Sequence, residues 1–179
     1  MRNIKIKQVM IPIADYKTIN KDKTLYDVFQ VLEDEVPSVN SVHRDLIVLD
    51  TAGKFQGKIT MVDIFKALEP NYKNLDKNIT DRILTKDYVV KAVRDFNLWL
   101  EPVKNLCERG SGIKISNIMH IPKEHEYVDE EDSLEKALHE YVMGVHQPLL
   151  VRQGDQVTGI LRFEDLYEVV RKHMLACKL

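Results

Sequence analysis

The chain has 179 residues, 44% of them hydrophobic and 30% charged, and a formal net charge of −2. That length gives one compact domain or two small ones, with a core that needs no disulfides. The near-neutral charge gives no general pull toward nucleic acid or an anionic membrane, and no uncharged apolar run is long enough to span a bilayer. The opening MRNIKIKQVM lacks a signal-peptide pattern, and Cys107 and Cys177 form no metal or redox spacing. A cytoplasmic protein with reduced thiols is therefore expected.

In chain order, KQVMIP (7–12) is a short segment ending in Met10 and Pro12. Thr24-Leu25-Tyr26-Asp27 has the capping-box pattern of a helix start, and Val28, Phe29 and Leu32 follow at helical spacing. LIVL (46–49) is a continuous apolar run, DTAGK is a turn signal, and KFQGKIT (54–60) is the return strand of a hairpin. GKITMVDI (57–64) then carries Gly57, Thr60 and Asp63 from that strand into a helix of about Val62 to Leu68.

Residues 70–112 do not read as a polar linker. Val89, Val93, Phe96, Leu100, Val103 and Cys107 recur at alternating spacings of four and three, and Ala92, Trp99 and Leu106 form a second line. The pattern predicts one long amphipathic helix, kinked at Pro102 and ended by Gly110-Ser111-Gly112. Its wide apolar face suits packing on its own domain or docking to a partner.

The remaining residues repeat the beginning. SNIMHIP (116–122) answers KQVMIP, and YVDEEDSLEKALHEYV (127–142) answers the first helix, with Asp132 and Ser133 as its cap. A hairpin turns at Gly154-Asp155, and GILRFEDL (159–166) repeats GKITMVDI with Arg162 in place of Thr60. A final helix runs from about Phe163 to Met174. The expected fold is α/β (α+β): two tandem β-α-β-β-α repeats, 1–69 and 113–179, joined by a helical insert at 70–112.

This ordered series, present twice, resembles a tandem pair of CBS domains, named after cystathionine β-synthase. Met10 with Pro12 and Met119 with Pro122, Leu25 and Leu134, Gly53 and Gly154, Gly57 and Gly159, and Asp63 and Asp165 carry the resemblance. It implies two repeats packed through their sheets with pseudo-twofold symmetry, and two modules associating as a homodimer. It also implies clefts between the repeats that bind an adenosine-containing ligand such as AMP, ADP, ATP or S-adenosylmethionine. Members are usually sensors, so a non-enzymatic regulatory module acting on an unidentified protein target is the implied function. No cofactor is required.

The candidate ligand residues follow. A carboxylate at a helix start accepts hydrogen bonds from a ribose diol, and a Thr hydroxyl beside free helix N–H groups donates to phosphate. Thr60 and Asp63 match the family's Ser/Thr-x-x-Asp series, yet the same spacing is a plain capping box. Arg162 is no N-cap acceptor. It suits either bidentate phosphate binding beside Asp165 or a surface ion pair with it. His43 and Arg44 precede a central strand, where family members place phosphate-contacting basic residues, and they also fit a solvated loop. Ile19, Ile59, Val128 and Leu161 suit the walls of a base pocket, or core packing alone.

Other chemistries are poorly served. There is no G-x-S-x-G, Walker loop or G-x-G-x-x-G. His120 and His125 lack a third metal ligand at useful spacing. DEEDSLEKALHE (129–140) reads as a capped, solvated helix face, and no basic patch with exposed aromatics suggests nucleic-acid binding. The rival to ligand sensing is a structural protein that dimerises or docks through its helical insert with empty clefts.

Overall fold

The computed structural model describes residues 1–33, 44–72, 86–99 and 105–176. Its regular elements are β1 (Ile11–Pro12), β2 (Thr18–Asn20), α1 (Leu25–Glu33), β3 (Leu46–Leu49), β4 (Phe55–Ile59), α2 (Met61–Leu68), α3 (Lys86–Asp95), α4 (Leu106–Gly112), β5 (Tyr127–Asp129), α5 (Leu134–Val142), β6 (Leu149–Gln153), β7 (Gln156–Leu161) and α6 (Phe163–Ala176). Both copies of the β-α-β-β-α series are present, as the sequence predicts.

The chain forms two compact units, Thr18–His120 and a second made of Met1–Lys17 with Ile121–Leu179. These units cross the expected repeat boundaries at 69 and 113, because each repeat's opening segment packs on the other repeat's elements.

In the Thr18–His120 unit, β2 runs parallel to β3, and β3 is antiparallel to β4. Segment 113–120 closes this sheet. Leu25 N–H donates to the Ile113 carbonyl at 2.8 Å, and Ile115 N–H donates to the Lys23 carbonyl at 3.0 Å. Lys58 and His120 exchange both backbone hydrogen bonds, at 3.0 and 2.8 Å. Ile115 joins Ile19, Leu25, Val28, Leu46, Val48, Ile59, Ile64 and Leu68 in the core. Each such aliphatic side chain contributes roughly 1.5–3 kcal/mol on full burial.

The other unit repeats this plan with the N-terminal segment. Leu134 N–H donates to the Ile4 carbonyl at 2.8 Å, and Ile6 N–H to the Asp132 carbonyl at 3.0 Å. β1 adds to the edge of β7 in the sheet order β1-β7-β6-β5. Ile6 enters a core of Val128, Leu134, Ala137, Tyr141, Leu149, Val151, Leu161 and Leu166.

The two glycines that the repeats share, Gly57 and Gly159, mark these seams. A Cβ on Gly57 would lie 2.6 Å from the His120 carbonyl oxygen, and one on Gly159 would lie 2.7 Å from that of Ile11. Both obstacles are backbone, so only glycine lets the closing segment approach. Each hairpin also carries a bulge beside its glycine pair, at Val48/Leu49 and at Val151/Arg152.

The insert departs from the single long helix that its spacing predicts. Helix α3 stops at Asp95, and the chain turns through 96–99. Leu98 N–H reaches back to the Val93 carbonyl at 3.1 Å, and Asn97 and Trp99 have φ values of 52° and 57°. Leu100, Pro102 and Val103, and with them the expected kink, lie outside the described residues. The expected apolar face is also different: Val89 and Val93 are exposed, whereas Ala92 and Leu98 are buried against Tyr72 and Phe96. Gly110-Ser111-Gly112 forms the last turn of α4, which ends at Gly112 as the sequence predicts. Gly110 is buried, 3.8 Å from Tyr26 N at its Cβ position, so a small residue there suits the approach of α4 to α1. Arg109 Nη1 caps α2 by donating to the Leu68 carbonyl at 3.1 Å.

Candidate functional site

The β4–α2 corner is built by a reciprocal cap. Thr60 leaves β4 with extended backbone and is the N-cap of α2. Its N–H and its hydroxyl donate to Asp63 Oδ2, at 2.9 and 2.7 Å. Asp63 N–H returns toward the Thr60 hydroxyl at 3.5 Å. The pair is half-buried at the helix N-terminus, where the partial positive charge of the backbone favours anions. Thr24 and Asp27 make the same constellation at α1, at 2.7, 2.8 and 3.4 Å.

The β7–α6 corner is chemically different. Arg162 precedes α6 and grips Asp165 with two parallel bonds, Nε to Oδ2 at 2.7 Å and Nη2 to Oδ1 at 2.6 Å. Both side chains are mostly sheltered from solvent. The hydrogen bonds to Asp165 hold the Arg162 guanidinium above its ordinary range against the opposing effect of burial. At the start of α5, Ser133 occupies the cap position without a side-chain cap bond. Asp132 instead accepts from Asp129 N–H at 3.0 Å and from Lys136 Nζ at 2.6 Å.

Register shows which other candidates fall near these corners. Leu46 pairs with Ile59, so Arg44, just before β3, lies at the same sheet end as Thr60, and it is exposed. His43 lies outside the described residues. Ile19 and Ile59 are buried together in one core, and Val128 and Leu161 in the other. Lys58, not singled out from the sequence, is completely buried in β4 opposite the equally buried Ile47. The signal for it was the unbroken apolar run of β3, which implies a sheet covered on both faces. Among the described residues, no helix is long and apolar enough to cross a membrane.

These features, two β-α-β-β-α units each closed by a segment from the other repeat, define a tandem α/β repeat protein with a helix starting directly after each hairpin. Residues 6–70 match the sequence model of the CBS domain. No curated protein sequence matches the chain. Among solved structures, it is similar to a CBS domain-containing protein of unknown function from Bacillus anthracis, with 21% identity, a TM-score of 0.62, and 96% of this chain and 95% of that one covered. It is similar to CBSX2 solved in complex with AMP, with 16% identity, a TM-score of 0.60, and 96% and 99% coverage. The CBS domain of a bacterial CNNM/CorC family Mg2+ transporter, solved with ATP, gives 16% identity, a TM-score of 0.58, and 95% and 89% coverage. Residues 6–70 are a CBS domain, and the fold of the whole chain is that of a tandem CBS pair.

Proposed function

We propose that the chain is a non-enzymatic regulatory module that binds an adenine nucleotide at the Thr60–Asp63 corner and answers with a change of conformation. The observation that carries this reading is the preformed Thr60–Asp63 pair at the N-terminus of α2, in a fold of which one relative was solved with AMP and another with ATP. The carboxylate supplies acceptors for a ribose diol, and the helix start and Thr60 suit a phosphate. Arg44 at the same sheet end adds positive charge. A ligand that binds one conformation better than another shifts their populations by that difference in affinity. A cytoplasmic homodimer acting on a separate protein target is part of this proposal.

A second reading, an interaction protein that docks through its insert, is favoured by one observation. Val89, Val90 and Val93 of α3 are all exposed.

The test is a thermal-shift panel with AMP, ADP, ATP, S-adenosylmethionine and NAD on the wild-type chain and on Asp63→Ala. A ligand at about 100 times its Kd stabilises the folded state by about 2.7 kcal/mol. A shift with one adenylate that is lost in Asp63→Ala supports the sensor. No shift with any of them sinks it, and leaves Thr60 and Asp63 as a cap.

A further inference from the structure

Within the Thr18–His120 unit, the C-terminal end of α2 is tied to the turn that follows α3. Glu69, the C-cap of α2, is only 5% exposed. Its carboxylate accepts Trp99 N–H at 2.7 Å with one oxygen and Asn71 N–H at 3.1 Å with the other. Trp99 Nε1 donates to the Tyr72 hydroxyl at 2.9 Å. The Trp99 ring meets Phe65 of α2 edge-on, with centroids 6.4 Å apart at 73°.

Two features oppose this closed arrangement. Trp99 sits in the left-handed region at φ 57°, where bulky side chains are rarely found, and such backbone persists only where its surroundings fix it. A buried carboxylate is costly when no cation pairs with it. Among the described residues Glu69 forms no ion pair, and its acceptor bonds run to the two backbone N–H groups. Opening of the turn relaxes the Trp99 backbone and returns the carboxylate to water. The apolar support for the closed state is small. Ala92 and Leu98 are buried, with Tyr72 and Phe96 packed on them, and this cluster shares no residue with the main core of the unit. Few buried contacts and separation from the core mark a segment that opens on its own.

We propose that the Trp99 turn is a latch with two states. Closed, it fixes α3 to the C-terminal end of α2 through Glu69 and Tyr72. Open, it frees α3 and takes Trp99 off Phe65, while β2, β3, β4 and the core around them stay folded. The latch stands whether or not the Thr60–Asp63 corner takes a nucleotide.

Amide hydrogen exchange of the whole chain, read residue by residue by NMR, tests the latch. The N–H groups of Leu98 and Trp99, bonded to Val93 and Glu69 in the closed state, should be protected. They should nevertheless exchange about a hundredfold faster than the slowest amides of β3 and β4, once intrinsic rates are removed. Glu69→Gln keeps the shape but sets an amide NH2 against one of the two N–H donors. It should lower the protection of Trp99 N–H about tenfold. Tyr72→Phe removes the acceptor of the indole N–H and should lower it about fivefold. In both variants the protection of β3 and β4 should stay within about twofold. If Glu69→Gln fails to fold, the wild-type comparison and Tyr72→Phe decide. Protection of Trp99 equal to that of β3 and β4, or a loss in the variants shared by all three, makes the turn part of the core and overturns the latch. Absence of any protection at Leu98 and Trp99 overturns its closed state, and unchanged protection in both variants overturns the part given to Glu69 and Tyr72.

Discussion

Arg162 and Asp165 satisfy each other: both carboxylate oxygens of Asp165 accept a guanidinium bond, at 2.6 and 2.7 Å. The equivalent Asp63 is met by Thr60 through Oδ2. The same corner of the two repeats therefore presents different chemistry. A ribose approaching Asp165 would have to displace a bidentate, partly buried partner, and such charge-assisted pairs are among the stronger hydrogen bonds. Titration calorimetry with the adenylate that gives the largest thermal shift should return one site per chain. Arg162→Thr, which recreates the Thr-x-x-Asp series, should raise that stoichiometry. A wild-type value of two would refute the distinction.

Thr24 and Thr60 cap their helices with nearly the same distances. Thr24→Ala and Thr60→Ala should each lower stability by about 1 kcal/mol, measured by urea denaturation. Only Thr60→Ala should also weaken adenylate binding. Equal loss of affinity in both variants would mean that the ligand effect is a by-product of instability.

The glycine seams allow a matched pair of tests. Gly57→Ala and Gly159→Ala each drive a methyl group against a backbone carbonyl oxygen, at 2.6 and 2.7 Å. Overpacking of this kind costs about 1–3 kcal/mol. Both variants should lose stability by similar amounts in urea melts, because each disturbs the same joint in its own unit. Wild-type stability in either would show that its closing segment yields without strain.

Tyr141 ties α5 to the hairpin of its unit. Its buried hydroxyl donates to the Leu161 carbonyl and accepts Leu149 N–H at 3.0 Å. Tyr141→Phe keeps the ring and strands buried backbone groups, which should cost about 1–3 kcal/mol in the urea midpoint. A neutral outcome would show that these groups find other partners.

Acid should act on the α1 cap. Hydrogen bonds from the Thr24 N–H, and then from its hydroxyl, hold the Asp27 carboxyl below its ordinary value of 3.8, outweighing a small opposing effect of burial. A depressed folded value contributes stability that is in place above the unfolded pKa and disappears as pH falls through the folded one. Urea midpoints of the wild-type chain and Asp27→Asn should therefore converge as the pH drops from about 6 to about 2. A constant gap would deny the linkage.

Much of the fold was legible because its signals are local. LIVL followed by a turn fixed β3 at Leu46–Leu49, and Thr24 and Thr60 announced the helices that they cap. The insert was less legible. Alternating spacings of three and four count apolar residues but do not say which face the fold covers, and it is Ala92 and Leu98 that are buried. Asn97 tolerates the left-handed region, but nothing in Trp99 foretells a place there; its turn depends on Glu69 and Tyr72, far away in sequence. At the site, the Thr60–Asp63 corner was visible as a motif. The burial of Lys58 was less plain: an isolated lysine in a strand reads as a solvent-facing position, and only the apolar run of the neighbouring β3 argues for a sheet covered on both faces.

The exchange of opening segments has a consequence for the order of assembly during synthesis. The unit from Thr18 to His120 is continuous in the chain, so a ribosome delivers all of it before the other unit is half made. Residues 1–17 are made before that unit yet find their seat after it: β1 has no partner until β7 ends at Leu161, and Ile6 has no core until Leu134 and Leu149 arrive. Until then the nascent chain carries a waiting apolar arm, Ile4, Ile6, Val9, Met10 and Ile11. Segment 113–120, the corresponding piece of the second repeat, has its partners in Lys23, Leu25 and Lys58, all of them made before it.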